Sequence, residues 1–88
     1  MNSSSTETSH LKHIYWRSRR GMLELELKLV PFVRDCYSDL DETLQAAYEQ
    51  MLEEEDWQIF DWLQGKLEPQ DPNTQILIRK ISAHQGRL

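Results

Sequence analysis

One run of residues combines types and spacing that could support binding chemistry, Arg19-Arg20-Gly21-Met22-Leu23-Glu24. Arg20 and Glu24 are four residues apart, so in a helix they would share one face. Gly21 between them leaves backbone that another surface could approach closely. Arginine and tryptophan are enriched at the energetic centres of protein interfaces, and the neighbours of these types are Trp16, Arg17 and Arg19. The run predicts a protein-binding surface; alternatively, Gly21 only ends a helix and the Arg–Glu pair is a solvated ion pair.

Other candidate chemistry is incomplete. His10 and His13 have a usable spacing for metal ligands on a helix, but no nearby cysteine or carboxylate completes a site. Cys36 is the single cysteine of the chain and has apolar neighbours, which predicts a buried, inert thiol in a reducing compartment. His84 stands alone, and the acids at 53–56 are typical of a solvated helix end. We therefore expect no catalytic residue, no metal site and no enzymatic activity.

Composition narrows the class of protein. Eighty-eight residues suggest one domain, and 39% apolar with 28% charged residues indicate a globular chain with little core to spare. The net charge is −5, but the first helix is basic, whereas residues 39–61 hold nine acids and no lysine or arginine. The basic helix leaves weak nucleic-acid binding as an alternative, which the overall charge opposes. Without a signal peptide or a long apolar run, we expect a bacterial cytoplasmic protein that inserts in no membrane.

Residues 22–30 are ambiguous in their secondary structure. Four leucines alternate with charged residues from Leu23 to Leu29, which is the period of a half-buried strand. Leucine, glutamate and lysine nevertheless favour helix, and no partner strand is evident nearby. As a helix, the segment would carry two adjacent apolar stripes, Leu23-Leu27-Val30 and Leu25-Leu29-Phe32-Cys36. We predict a helix over 22–37 that Pro31 kinks or splits.

The remaining elements are predicted from apolar spacing and cap residues. The first helix is expected at about 9–20, with Thr6 or Ser9 as its cap and Gly21 as its break, and the third at 41–54, with Ser38, Asp39 or Asp41 as its cap. The fourth is expected at 57–64, capped by Asp56 and ended by Gly65, and the fifth at 72–83, capped by Asp71. The aromatic residues of the fourth helix are predicted to anchor the core, and the fifth helix to bury Ile76, Leu77 and Ile81. The fold class is all-α, a small five-helix bundle. We expect a disordered head at 1–8, one helical domain at 9–83 and a frayed tail at 84–88.

The run Arg20-Gly21-Met22-Leu23-Glu24 resembles the Arg-Gly-x-x-Glu motif of the SdhE family (formerly YgfY), the succinate dehydrogenase assembly factors that promote covalent flavinylation. The similarity extends over about residues 11–82, including Pro31-Phe32 and Phe60-Asp61-Trp62-Leu63 in the order and spacing of the family. The resemblance implies a five-helix fold and helix at 22–30.

The resemblance also implies a partner and a surface. The partner would be the flavoprotein subunit of succinate dehydrogenase and, by extension, that of fumarate reductase. FAD would be attached to a histidine of that partner, and we expect this chain to hold no cofactor tightly. The carried-over contact residues are Arg20, Gly21 and Glu24, with Arg19, Trp16 and Arg17 beside them. An antitoxin-type role, binding a membrane-associated toxin through the same surface, is the alternative that the resemblance leaves open.

Overall fold

The computed structural model describes the backbone of residues 3–84 and the side chains of residues 9–84. Five α-helices follow one another: α1 Ser3–Arg17, α2 Leu23–Cys36, α3 Glu42–Met51, α4 Asp56–Gln64 and α5 Pro72–Ala83. A short 3₁₀ helix, Tyr37–Asp39, follows α2. No strand occurs in the described range, so the predicted all-α, five-helix fold is confirmed.

Helix α2 settles the ambiguity at residues 22–30 in favour of helix. It runs without interruption through Pro31, so the predicted split at this proline is wrong. The proline cannot donate to the carbonyl of Leu27, four residues back. Because Leu27 lies on an exposed face of α2, water can reach that side of the helix, while the ring of Pro31 is buried.

The two predicted stripes of α2 are buried to different extents: Cys36 is the one half-buried member of the stripe that begins at Leu25, and Val30 is the one buried member of the second, which begins at Leu23. Leu25, Leu29 and Phe32 are at most 1% exposed and pack with residues of every other helix. In the second stripe, Leu23 is 61% and Leu27 is 45% exposed. An alternation of leucines on α2 therefore fills the core on one side and leaves apolar side chains in solvent on the other.

The cap residues predicted at Asp41, Asp71 and Gly65 are confirmed, whereas the cap predicted at Asp56 is wrong. Asp41 accepts from the Leu44 N–H at 2.9 Å, and Asp71 caps α5 in the same way, just before Pro72. Gly65 ends α4 with a φ of +81°, a conformation that suits glycine. Asp56, in contrast, is the first residue of α4 rather than its cap, because its carboxylate bonds with the segment between α1 and α2.

Helix boundaries differ from prediction at several ends. Helix α1 begins at Ser3, before both predicted caps, and ends at Arg17, so Gly21 is not its C-terminal residue. Helix α3 ends at Met51, earlier than predicted. Residues 1–2 and 85–88, parts of the predicted head and tail, lie outside the described part. The division into head, domain and tail stays a prediction.

The predicted core residues of the last two helices need correction. In α4 only Ile59 is fully buried, and Trp57 is 55% exposed because it lies on the face that points away from the bundle. In α5, Leu77 and Ile81 are buried as predicted, but Ile78 takes the place assigned to Ile76, which is 41% exposed. None of the described helices combines the length and the apolar character that crossing a membrane requires.

Candidate functional site

The segment from Ser18 to Met22 joins α1 to α2 and carries most of the predicted site. Its first residue is fully buried: the Ser18 hydroxyl donates to the Ile14 carbonyl at 2.8 Å and lies 2.7 Å from the Tyr48 hydroxyl. Ser18 thereby fixes the end of α1 against α3. This contact could not be predicted from the sequence, since a lone serine near a helix end gives no signal of burial.

Arg20 anchors the middle of the segment. Its Nε donates to Asp56 Oδ1 at 2.7 Å, and its terminal nitrogens donate to the carbonyls of Arg17, Leu52 and Glu54 at 2.7–3.1 Å. These carbonyls belong to the ends of α1 and α3 and to the turn after α3, where backbone acceptors lack helical partners. One guanidinium thus ties together the ends of two helices and the start of α4.

The second oxygen of Asp56 accepts from the backbone N–H of Met22 at 3.3 Å, just before α2 begins. Asp56 therefore holds both Arg20 and the start of α2. The sequence singled out Asp56 only as a cap of α4, because its observed role depends on contacts between residues more than thirty positions apart.

The predicted pairing of Arg20 with Glu24 is absent among the described contacts. Arg20 lies before α2 and Glu24 in its first turn, so the two do not share a helical face. Four of the five guanidinium N–H groups of Arg20 are engaged within the chain. Glu24 is exposed, and no described side chain bonds to its carboxylate.

Gly21 is exposed between these two residues, and the packing of the fold does not require a glycine at this position. Its φ is not positive, and a Cβ atom built there would meet only Asp56 Oδ2, at the ordinary contact distance of 3.7 Å. A small side chain would therefore fit the isolated chain. What the glycine provides is an uncovered stretch of backbone on the outer surface.

Trp16 and Arg19 form a surface pair beside the glycine. The Arg19 guanidinium lies 5.4 Å from the centre of the Trp16 ring, and the ring is 62% exposed. Arg19 also donates to Glu26 of α2 at 2.8 Å, and this hydrogen bond raises the pKa of Arg19 above its ordinary value. The pair presents a flat aromatic face with a fixed cation, as expected of a contact residue group.

The arginines of the region are neutralised by acids. Arg17 pairs with Glu53 at 2.7 Å, and Arg19 and Arg20 have the carboxylate partners given above. The acid-rich middle of the chain thus covers part of the basic stretch. This pairing weakens the nucleic-acid alternative, which depended on an excess of positive charge.

Residues outside the motif form a second polar cluster that the sequence did not predict. His84 is not isolated: its Nε2 lies 3.0 Å from Asp35 Oδ2, and its Nδ1 lies 3.6 Å from the Cys36 sulfur. Hydrogen bonds from Arg34 and then His84 lower the pKa of Asp35 to about 2. Cys36 is half-buried rather than buried, and desolvation together with nearby acids raises the pKa of its thiol.

Among the described residues, no three or more histidine, cysteine or acidic side chains are arranged so that they could hold a metal ion. His10 is instead paired with Glu49 at 3.2 Å, and His13 is exposed. The groups brought together at the α1–α2 junction are therefore suited to contact with another protein: an aromatic–cation pair, open backbone and a free carboxylate.

Comparison with known proteins gives a consistent result. Residues 12–85 match the family model described as flavinator of succinate dehydrogenase. The FAD assembly factor SdhE of Pseudomonas aeruginosa is 44% identical over 75 residues, which is 85% of this chain and 89% of the relative. The proteins of the same name from Photobacterium profundum and Coxiella burnetii are each 36% identical, covering 94% and 80% of this chain and 91% and 85% of the relatives. The chain therefore belongs to the SdhE family of succinate dehydrogenase flavinators.

Proposed function

We propose that this protein is an assembly factor that binds the flavoprotein subunit of succinate dehydrogenase and promotes covalent attachment of FAD to a histidine of that subunit. By the same reasoning it would act on the flavoprotein subunit of fumarate reductase. Family membership and the names of the relatives support the flavin-related role. The observation that carries the contact surface is Gly21, an exposed glycine that the chain's own packing does not require.

In this proposal the protein supplies geometry and no reacting atom. Docking would hold the partner in an arrangement in which its histidine faces the reacting carbon of the flavin, so that rate is gained through positioning. A factor that binds this arrangement better than the others shifts the partner's population toward it. Gly21 allows close approach of backbone, and Glu24 offers a charge-assisted hydrogen bond to the partner.

Arg20 has a different task from Glu24 in this mechanism. Because its guanidinium is engaged by Asp56 and three carbonyls, it holds the segment that displays Gly21 and Glu24. Arg20 is then a positioning residue, and Glu24 and Gly21 are contact residues. Trp16 and Arg19 extend the contact surface along α1.

We also propose that FAD belongs to the partner and is not held tightly by this chain. A concavity of about 910 Å³ is lined by residues of α3, α4, α5 and the loop that precedes α5. Its lining includes the carboxylates of Glu54, Glu68 and Asp71 and no lysine, arginine or histidine. Such a lining would repel the pyrophosphate of FAD.

The test is the covalent flavin content of the succinate dehydrogenase flavoprotein subunit, read as in-gel fluorescence after denaturation. Cells that lack this protein would be compared with cells that express the wild type, Glu24→Ala, Gly21→Leu or the control Glu68→Ala, which removes an exposed acid elsewhere. We expect fluorescence with wild type and control, and a loss with the other two variants. Equal fluorescence in all five strains would refute the proposal.

Stability measurements must accompany the cellular assay. Since a Cβ at Gly21 meets nothing closer than 3.7 Å, Gly21→Leu should melt near the wild-type temperature. If it unfolds the domain instead, the glycine is structural and the contact argument loses its main residue.

A further inference from the structure

A groove beside the motif is the feature that the function does not yet use. Helix α2 and helix α4 form its two walls, and its volume is about 610 Å³. We call it the α2–α4 groove, and its lining residues are Glu24, Leu27, Lys28, Pro31, Phe60, Leu63, Gln64 and His84. Both walls follow helical spacing, since the α2 residues fall at i, i+3, i+4 and i+7 and the α4 residues at i, i+3 and i+4.

The floor and rim of the groove are apolar and incompletely covered. Leu27 is 45% exposed, and Phe60 and Leu63 are half-buried. Leu23 and Trp57 lie on the same two helices, about one turn before Leu27 and Phe60, and are also exposed. Contiguous apolar surface with a polar rim is typical of a protein-binding site.

The charges on the rim indicate what the groove would accept. Glu24 and Lys28 are four residues apart on α2, yet within the described part of the chain neither forms an ion pair. Each is exposed and available to a charge of opposite sign, and on a helix they are separated by about 6 Å of rise. A matching segment would have a basic and an acidic side chain on either side of an apolar one.

The α2 wall spans eight residues, from Glu24 to Pro31. This corresponds to about 10 Å, or two turns of a helix packed into the groove. Helices commonly pack with a ridge of side chains from one helix in a groove on the neighbouring surface. The groove is therefore long enough for a short amphipathic helix, and Glu24 makes it continuous with the contact surface proposed above.

We propose that the α2–α4 groove docks a short amphipathic helical segment of the partner flavoprotein, with an apolar side chain against Leu27 and Phe60, a basic one at Glu24 and an acidic one at Lys28. This inference rests on the proposed function and adds a specificity-determining site to it. The Gly21 region would give close backbone approach, and the groove would select the partner by its pattern of one apolar and two charged side chains.

The test measures affinity between the purified full-length chain and the purified flavoprotein subunit of succinate dehydrogenase by titration calorimetry. Leu27→Glu would be compared with Ile76→Glu, which makes the same change at a similarly exposed helical position on α5. Lys28→Glu would be compared with Lys66→Glu, an exposed lysine beyond α4. We expect about a tenfold or greater weakening for Leu27→Glu, several-fold for Lys28→Glu, and less than about twofold for both controls.

The outcomes separate the two proposals. If Gly21→Leu abolishes binding but Leu27→Glu and Lys28→Glu bind as wild type, the groove proposal is overturned and the proposed function stands. If the wild-type chain does not bind the flavoprotein, both are overturned. If sedimentation shows a wild-type dimer that Leu27→Glu dissociates, the groove holds a second copy of this chain and the proposal also fails. If the controls Ile76→Glu and Lys66→Glu lose as much affinity for the flavoprotein as the groove variants, a local binding site in the groove is excluded as well.

Discussion

Asp56 offers the sharpest test of how the site is held in place. Its replacement by alanine removes the ion pair with Arg20 and the acceptor for the Met22 N–H, at 2.7 and 3.3 Å. Both bonds are made to a charged carboxylate, and a hydrogen bond with a charged group contributes about 1.5–3 kcal/mol. The side chains are 14% and 29% exposed, so solvent screens this pair only in part. We expect the free energy of unfolding to fall by about 2 kcal/mol or more.

The measurement is thermal and urea unfolding followed by circular dichroism. In a domain of this size, each kcal/mol lowers the melting temperature by about 4–8 °C, so a decrease of at least about 8 °C is expected. Glu55→Ala is the matched control, because it removes one negative charge at the same helix start and its side chain makes no cap hydrogen bond. The control should change stability by less than about 1 kcal/mol. Equal effects of the two variants would refute the view that Asp56 acts through Arg20 and Met22.

Three further predictions concern the core and the pH dependence of stability. Leu29→Ala should cost about 2–5 kcal/mol in urea unfolding, whereas Leu23→Ala, on the exposed stripe of the same helix, should cost less than about 0.5 kcal/mol; similar values would contradict the observed orientation of α2. Ser18→Ala should cost about 1–3 kcal/mol by leaving the Tyr48 hydroxyl without that partner, and the double variant with Tyr48→Phe should be less destabilised than the sum, which a double-mutant cycle checks. Asp35 has a pKa of about 2 in the fold, below its ordinary value, so its contribution to stability is complete above about pH 4 and is lost as the pH falls toward 2. Asp35→Asn should therefore reduce the slope of the free energy of unfolding against pH in that range. An unchanged slope would count against the Arg34–Asp35–His84 contacts.

Local signals were sufficient for much of the fold. Asp41, Asp71-Pro72 and Gly65 are cap residues whose preference depends on bonds within a few positions, and the structure has them at the predicted ends. The helical preference of the leucine-rich segment likewise prevailed over its period-two alternation, because no second strand was present to pair with it. Fold class is accessible from sequence when such short-range effects agree.

The arrangement of the candidate site required contacts that no local pattern encodes. The sequence placed Arg20 with Glu24 at helical spacing, but the chain leaves the helix at Ser18, and Arg20 reaches Asp56 instead. The same dependence on long-range contacts explains why the sequence assigns Asp56 to a cap and does not distinguish the exposed stripe of Leu27 from the buried one. Which stripe of an apolar helix faces the core depends on where neighbouring helices pack, and that is decided by long-range geometry rather than by periodicity.

The hydrogen bonds of Arg20 have a consequence for how this protein can diverge in evolution. Apart from Asp56, the acceptors of Arg20 are backbone carbonyls, which every amino acid supplies. Residues 17 and 54 can therefore be exchanged in related sequences without loss of those bonds. A change at Arg20, in contrast, removes all of them at once and leaves the Asp56 carboxylate without its arginine partner. Positions 20 and 56 should therefore change together, while residue 54 in the turn after α3 is free to accumulate substitutions.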